Sequence, residues 1–69
     1  MIQNSIKVER ARYNLTQAEL AEKVSVSRQT INSIENCKFT PSVELAMKIA
    51  RVFNTTVDEI FYFPGERGL

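Results

Sequence analysis

Between Ser25 and Lys38 the chain reads SVSRQTINSIENCK, a run made largely of amides and hydroxyls with one guanidinium. Arg28, Gln29, Thr30, Asn32, Ser33 and Asn36 surround two isoleucines, Ile31 and Ile34, and the only carboxylate is that of Glu35. On a helical wheel at 100° per residue, Ile31, Ile34 and Glu35 share one edge. Gln29, Asn32, Ser33 and Asn36 fall opposite, with Arg28 on a flank. Such groups recognise polar ligands: Gln can bond an adenine edge twice, Arg a guanine edge, and Ser either kind of partner. A polar helix face also serves as plain solvated surface, and spacing alone leaves both readings open.

Catalytic chemistry is poorly supplied. With no histidine and one cysteine, Cys37, the usual zinc and haem ligand sets are out of reach. So are Ser-His and Cys-His nucleophile pairs. No two carboxylates sit in an apolar setting that would divide acid from base. The chain is therefore expected to be no enzyme and to need no metal or cofactor. A lone cysteine closes no internal disulfide, which fits a reducing compartment.

Net charge is only +1, weak for a nucleic-acid binder, but its distribution is uneven. Met1 to Pro41 carries six Lys/Arg against four acidic residues, and the remainder three against four. The first half is thus the more basic, as a DNA-facing surface would require. No apolar run approaches the ~20 residues of a membrane span, and no basic-then-apolar leader opens the chain.

The elements that must carry these residues are short helices. At 69 residues the chain has room for one core, hence one domain, 1–69. No strand-type alternation lasts long enough to build a sheet. The first helix is expected from about Ser5 to Tyr13 with Asn4 as N-cap, and Asn14 suits the left-handed residue that ends it. Thr16-Gln17-Ala18-Glu19 reads as a capping box opening a second helix, and Ser25-Val26 breaks it. Ser27 caps a third helix that turns Ile31 and Ile34 inward. Phe39-Thr40-Pro41 forms a loop, because the residue before a proline avoids helical geometry. Ser42 caps a fourth helix whose Leu45, Ala46, Ile49, Ala50 and Phe53 make a buried stripe, and Asn54 ends it. Thr56-Val57-Asp58-Glu59 reads as a second capping box, opening a short fifth helix through Ile60 or Phe61, with a tail over 62–69. The predicted fold is all-α, five helices with a helix-turn-helix at about 17–36, in which the second helix of the pair enters a major groove.

The runs Leu15-Thr-Gln-Ala-Glu-Leu-Ala-Glu-Lys-Val and Val26-Ser-Arg-Gln-Thr-Ile-Asn-Ser-Ile-Glu-Asn resemble the phage repressor and Cro (XRE) family of helix-turn-helix transcriptional regulators. The likeness continues through Pro41-Ser42, Ala46-Met-Lys-Ile-Ala and Val57-Asp-Glu-Ile-Phe, covering nearly the whole chain. It implies a lambda-repressor-like fold and double-stranded DNA as partner. It places Arg28, Gln29 and Ser33 at base edges and Gln17, Asn36 and Lys38 at phosphates. The wheel adds Asn32 to the base-reading face, and the helix N-termini at Thr16 and Ser27 add free amides for phosphate. The resemblance also implies an ion pair between Arg10 and Glu35 beneath the recognition helix. Two departures stand out. The family usually has glycine where this chain has Asn14, Ser25, Cys37 and Asn54, and more often leucine at Glu9.

One recognition helix reads few base pairs, so a homodimer on a palindrome is expected, its half-sites about 34–36 Å apart. Ile60, Phe61, Tyr62 and Phe63 are the candidate interface, the competing reading being that this segment folds over its own core. The expected role is a sequence-specific regulator, most simply a repressor, in the cytoplasm and nucleoid of a prokaryotic cell. Regulation would come through protein level, DNA occupancy or a regulatory partner protein. A second function class is an interaction module, such as an antitoxin or adaptor. The short stretch after the fifth helix disfavours it, because antitoxins often carry an added segment that wraps the toxin.

Overall fold

Four helix ends set the course of the chain, and all four are built alike. A computed structural model of the protein describes residues 2–66. In it α1 spans Ile6–Tyr13, α2 Gln17–Lys23, α3 Arg28–Glu35, α4 Val43–Val52 and α5 Val57–Ile60. After each of the first four helices one residue takes a left-handed conformation: Asn14 (φ 60°), Ser25 (61°), Cys37 (61°) and Asn54 (54°). At each end that residue's amide donates three residues back, and the next amide donates five back. Lys38 N bonds Ser33 O at 2.9 Å, for example, and Cys37 N bonds Ile34 O at 3.0 Å. This is the Schellman arrangement, which satisfies carbonyls a helix end would otherwise leave open. In two of the four, the residue after the turn, Leu15 or Val26, packs against the core.

Helix starts are capped by side chains where the sequence predicts, with two exceptions. Thr16 and Glu19 form the full capping box: Glu19 N donates to Thr16 Oγ1 at 3.0 Å, and Thr16 N donates to Glu19 Oε1 at 2.9 Å. Ser27 accepts from Thr30 N, and Ser42 from Leu45 N, each at 3.1 Å. At α1 the cap position is Ser5 rather than Asn4. The Asn4 side chain accepts from Ile6 N and donates to Ile34 O at 2.8 Å, tying the chain start to the end of α3. At α5 the expected second capping box is not formed, since the Thr56 side chain makes no cap hydrogen bond. A helix of four residues anchored through Ile60 depends on packing rather than on its cap.

One element was not expected. Gln3–Asn4 (β1) and Phe61–Tyr62 (β2) pair antiparallel, Gln3 opposite Tyr62 and Asn4 opposite Phe61. Ser5 N adds a bond to Ile60 O at 3.0 Å. This ribbon joins the two ends of the chain and closes the core from below.

The core consists of Ile6, Leu20, Ala21, Val24, Ile31, Ile34, Ala46, Ile49, Ala50, Phe53, Ile60 and Phe61. No polar or charged residue is buried among the described residues. Each large side chain here gains ~1.5–3 kcal/mol from burial. Ile60 and Phe61 are 1% and 6% exposed, which corrects their assignment to a dimer interface: a chain this small uses them to cover its own core. Tyr62 is half-buried, its hydroxyl donating to Asn4 O at 3.5 Å. Only Phe63, 64% exposed, remains open. The end of the expected tail, 67–69, lies outside the described residues.

Candidate nucleic-acid interface

Helix α3 is held from beneath by charge and from the side by amides. Arg10, on α1, donates from Nε to Glu35 Oε2 at 2.6 Å and from Nη2 to Glu35 Oε1 at 3.1 Å. Its Nη1 donates to Leu15 O at 2.9 Å. The two side chains are 16% and 5% exposed, so the fork fixes α1, the α1–α2 turn and α3 in a largely dry setting, where bidentate geometry counts most.

Gln17, the first residue of α2, extends this network to the surface. Its Nε2 donates to Glu35 Oε1 at 3.1 Å and to Asn32 Oδ1 at 3.2 Å. Its Oε1 accepts from Arg28 Nη1 at 3.4 Å. Asn32 Oδ1 also accepts from Asn36 Nδ2 at 3.4 Å. A continuous chain of bonds therefore runs from Leu15 O through Arg10, Glu35 and Gln17 to Arg28, Asn32 and Asn36.

This network divides the expected contact residues into two sets. Arg28 and Asn32 are already engaged with Gln17. Gln29 and Ser33 have no side-chain hydrogen-bond partner among the described residues, and they lie one turn apart on the outward face. They share a shallow polar groove with Ser27, Thr30, Asn32, Lys38 and Phe39. The Thr16 and Ser27 hydroxyl oxygens are occupied as caps, the latter also bonded to Thr30 Oγ1 at 2.9 Å. Lys38 lies exposed just beyond α3. The groove can therefore offer hydrogen-bond donors and acceptors, one cation and one ring, and no acid.

Phe39 and Thr30 are the groove members that sequence reasoning missed as contact residues. Phe39 reads as loop from its neighbour Pro41, and no periodicity ties it to α3. Its signal was a large apolar residue outside every helical stripe.

Among the described residues no helix is long and apolar enough to cross a membrane. Residues 6–60 match a helix-turn-helix family model, HTH_3. The chain belongs to this family of XRE-type helix-turn-helix proteins. An uncharacterized HTH-type transcriptional regulator of Archaeoglobus fulgidus is 52% identical over 61 residues, covering 88% of this chain and 86% of that one. Another, MJ0272 of Methanocaldococcus jannaschii, is 48% identical over 90% of this chain and 94% of its own length. The solution structure of the DNA-binding domain of the P22 c2 repressor superposes with a TM-score of 0.72 at 24% identity, over 77% of this chain and 70% of that one. It shares the fold. This helix-turn-helix protein is thus a transcriptional regulator with a DNA-binding domain for double-stranded DNA, in a family that is not enzymatic.

Proposed function

We propose that the protein reads a palindromic operator in the major groove as a homodimer and represses transcription by occupying it. The observation that supports this best is the pairing of two unpartnered side chains, Gln29 and Ser33, with a braced surround. Groups held by Gln17 and Glu35 cost little entropy to order on binding, and Gln29 and Ser33 are left to find base edges. Thr16, Gln17, Ser27, Asn36 and Lys38 border them in positions suited to phosphate, fixing register without reading sequence. Arg28 and Asn32 join the base contacts by exchanging their bonds to Gln17 for bonds to DNA.

The second copy meets an apolar surface on α4 and α5. Val43 and Met47 are 77% and 46% exposed on one face of α4. Val43 borders a hollow formed with Ile2, Pro41, Val57 and the edge of Phe61. Glu44 and Arg51 flank Met47 on either side along that face. An antiparallel copy of α4 would set Glu44 against the partner's Arg51, so the face is complementary to itself in charge as well as apolar. Of the C-terminal residues, Phe63 stays exposed and can add to the contact, whereas Ile60 and Phe61 are buried. The site of action is the nucleoid, in the cytoplasm of a prokaryotic cell. An antitoxin or adaptor role is not favoured, because the relatives are named as transcriptional regulators.

Selection of bound duplexes from a random pool tests the proposal. Enrichment of an inverted repeat with half-sites about one helical turn apart is expected. Enrichment of single, unpaired half-sites would remove the dimer, and no enrichment would remove base reading.

A further inference from the structure

Phe39 is a half-exposed aromatic ring that the fold does not use. It is 50% exposed and absent from both the core and the partly buried residues packed against it. Other large apolar side chains are exposed too, among them Val43, Met47 and Phe63, but of these only Phe39 lines the polar groove on α3. The turn that leads to Phe39 is held by backbone bonds. The left-handed Cys37 reverses the chain at the end of α3, and Lys38 N bonds Ser33 O at 2.9 Å. The loop then brings Phe39 to the groove that Gln29, Thr30 and Ser33 line.

In a major groove Gln29 and Ser33 can answer donors and acceptors but not the C5-methyl group of thymine, for which the groove offers only the small Thr30 methyl and the Phe39 ring. An apolar side chain contacts that methyl group. We infer that Phe39 is a specificity-determining residue that packs its ring on a thymine methyl at the edge of each half-site. The inference rests on the reading of α3 as the base-contacting helix. It adds an apolar position to a readout otherwise made of hydrogen bonds. The ring would favour thymine over cytosine at a position where neither Gln29 nor Ser33 needs to reach. A ring lying instead on deoxyribose would add affinity without choosing a base.

Replacing thymine by deoxyuridine, one position at a time, in the duplex selected by the wild-type protein separates these cases, because only the methyl group is removed. The wild-type protein is expected to lose about fourfold in affinity at one thymine per half-site, the worth of one buried methyl-sized group. Phe39→Ala should bind the thymine duplex more weakly and show no loss at that position, with unchanged thermal melting. Phe39→Leu should retain part of the discrimination. Equal losses on deoxyuridine for wild type and Phe39→Ala, or no thymine methyl that matters to wild type, would overturn the inference while leaving base reading by Gln29 intact. Failure of the wild-type protein to select any sequence would overturn both.

Discussion

Helices α3 and α4 are alike in construction and opposite in what they show to water. Each begins at a serine cap, buries an apolar stripe and ends in a left-handed residue two positions beyond its last helical residue. Outward, α3 presents amides and hydroxyls, some braced by Gln17 and two unpartnered, whereas α4 presents Val43 and Met47 beside a Glu44–Lys48 pair at 3.3 Å. The inward faces build one core and say nothing about function. The outward faces differ in what remains unsatisfied: hydrogen-bonding capacity on α3, apolar area on α4. An unsatisfied polar face calls for a polar ligand and an unsatisfied apolar face for another protein surface.

The contrast can be broken first at its foundation. α3 is braced through Arg10, and no comparable ion pair underlies α4 among the described residues. Arg10→Met should cost about 3–5 kcal/mol in urea unfolding, because it strands a nearly buried Glu35 and the Leu15 carbonyl. Adding Glu35→Leu should recover much of that loss, since an apolar pair avoids the desolvation penalty. Unchanged melting and DNA affinity in Arg10→Met would show that the brace is ornamental. Met47→Glu attacks the other face. Two carboxylates brought together in the proposed interface should weaken the dimer by at least ~100-fold, about 2.7 kcal/mol. Sedimentation would report this as a monomer, with α3 intact and melting lowered only by the lost contribution of the dimer. Gln29→Ala should cost ~1–3 kcal/mol on the selected duplex and relax preference at one base pair. Lys38→Ala should weaken all sequences alike and flatten the salt dependence by about one phosphate contact. If both changes act equally on selected and random DNA, α3 does not read bases.

α2, α3 and α4 were legible because each is announced by local chemistry: a serine or threonine cap, apolar residues at helical spacing, and a turn residue after the last of them. The ribbon was not, because strand periodicity needs several residues to show, and each of its strands has two. Its partners lie at opposite ends of the chain, so no local pattern links them. Thr56 misled for the opposite reason. A local capping signal was present, but the four-residue α5 is placed by the burial of Ile60. At the site, residue types on α3 could be read directly, whereas the Arg10–Glu35 pair came only with the family resemblance. Neither route could rank the contact residues. That ranking depends on the single bond Gln17 makes to Asn32 and the one it accepts from Arg28, which spacing cannot reveal.

The smallest expected effect concerns the residue that ends α3. Cys37 sits at φ 61°, a conformation in which Cβ crowds the backbone and which costs an L-residue ~1–2 kcal/mol. Glycine removes that strain but adds freedom to the unfolded chain, worth ~0.4–1 kcal/mol in the other direction. Cys37→Gly should therefore range from neutral to stabilising by about 1.5 kcal/mol. The bonds from Cys37 N to Ile34 O and from Lys38 N to Ser33 O are made by backbone and survive the change. Lys38 and Phe39 should keep their places, and DNA affinity should be unaltered. Asn14→Gly supplies the comparison. Asparagine tolerates the left-handed region better than cysteine, so its replacement should gain less. A larger gain at Asn14 than at Cys37, measured by thermal melting, would mean that strain at the end of α3 is relieved by something other than the backbone bonds. A loss of DNA binding in Cys37→Gly would make the thiol itself part of the contact surface, and the division between a braced helix and its reading groove would have to be redrawn.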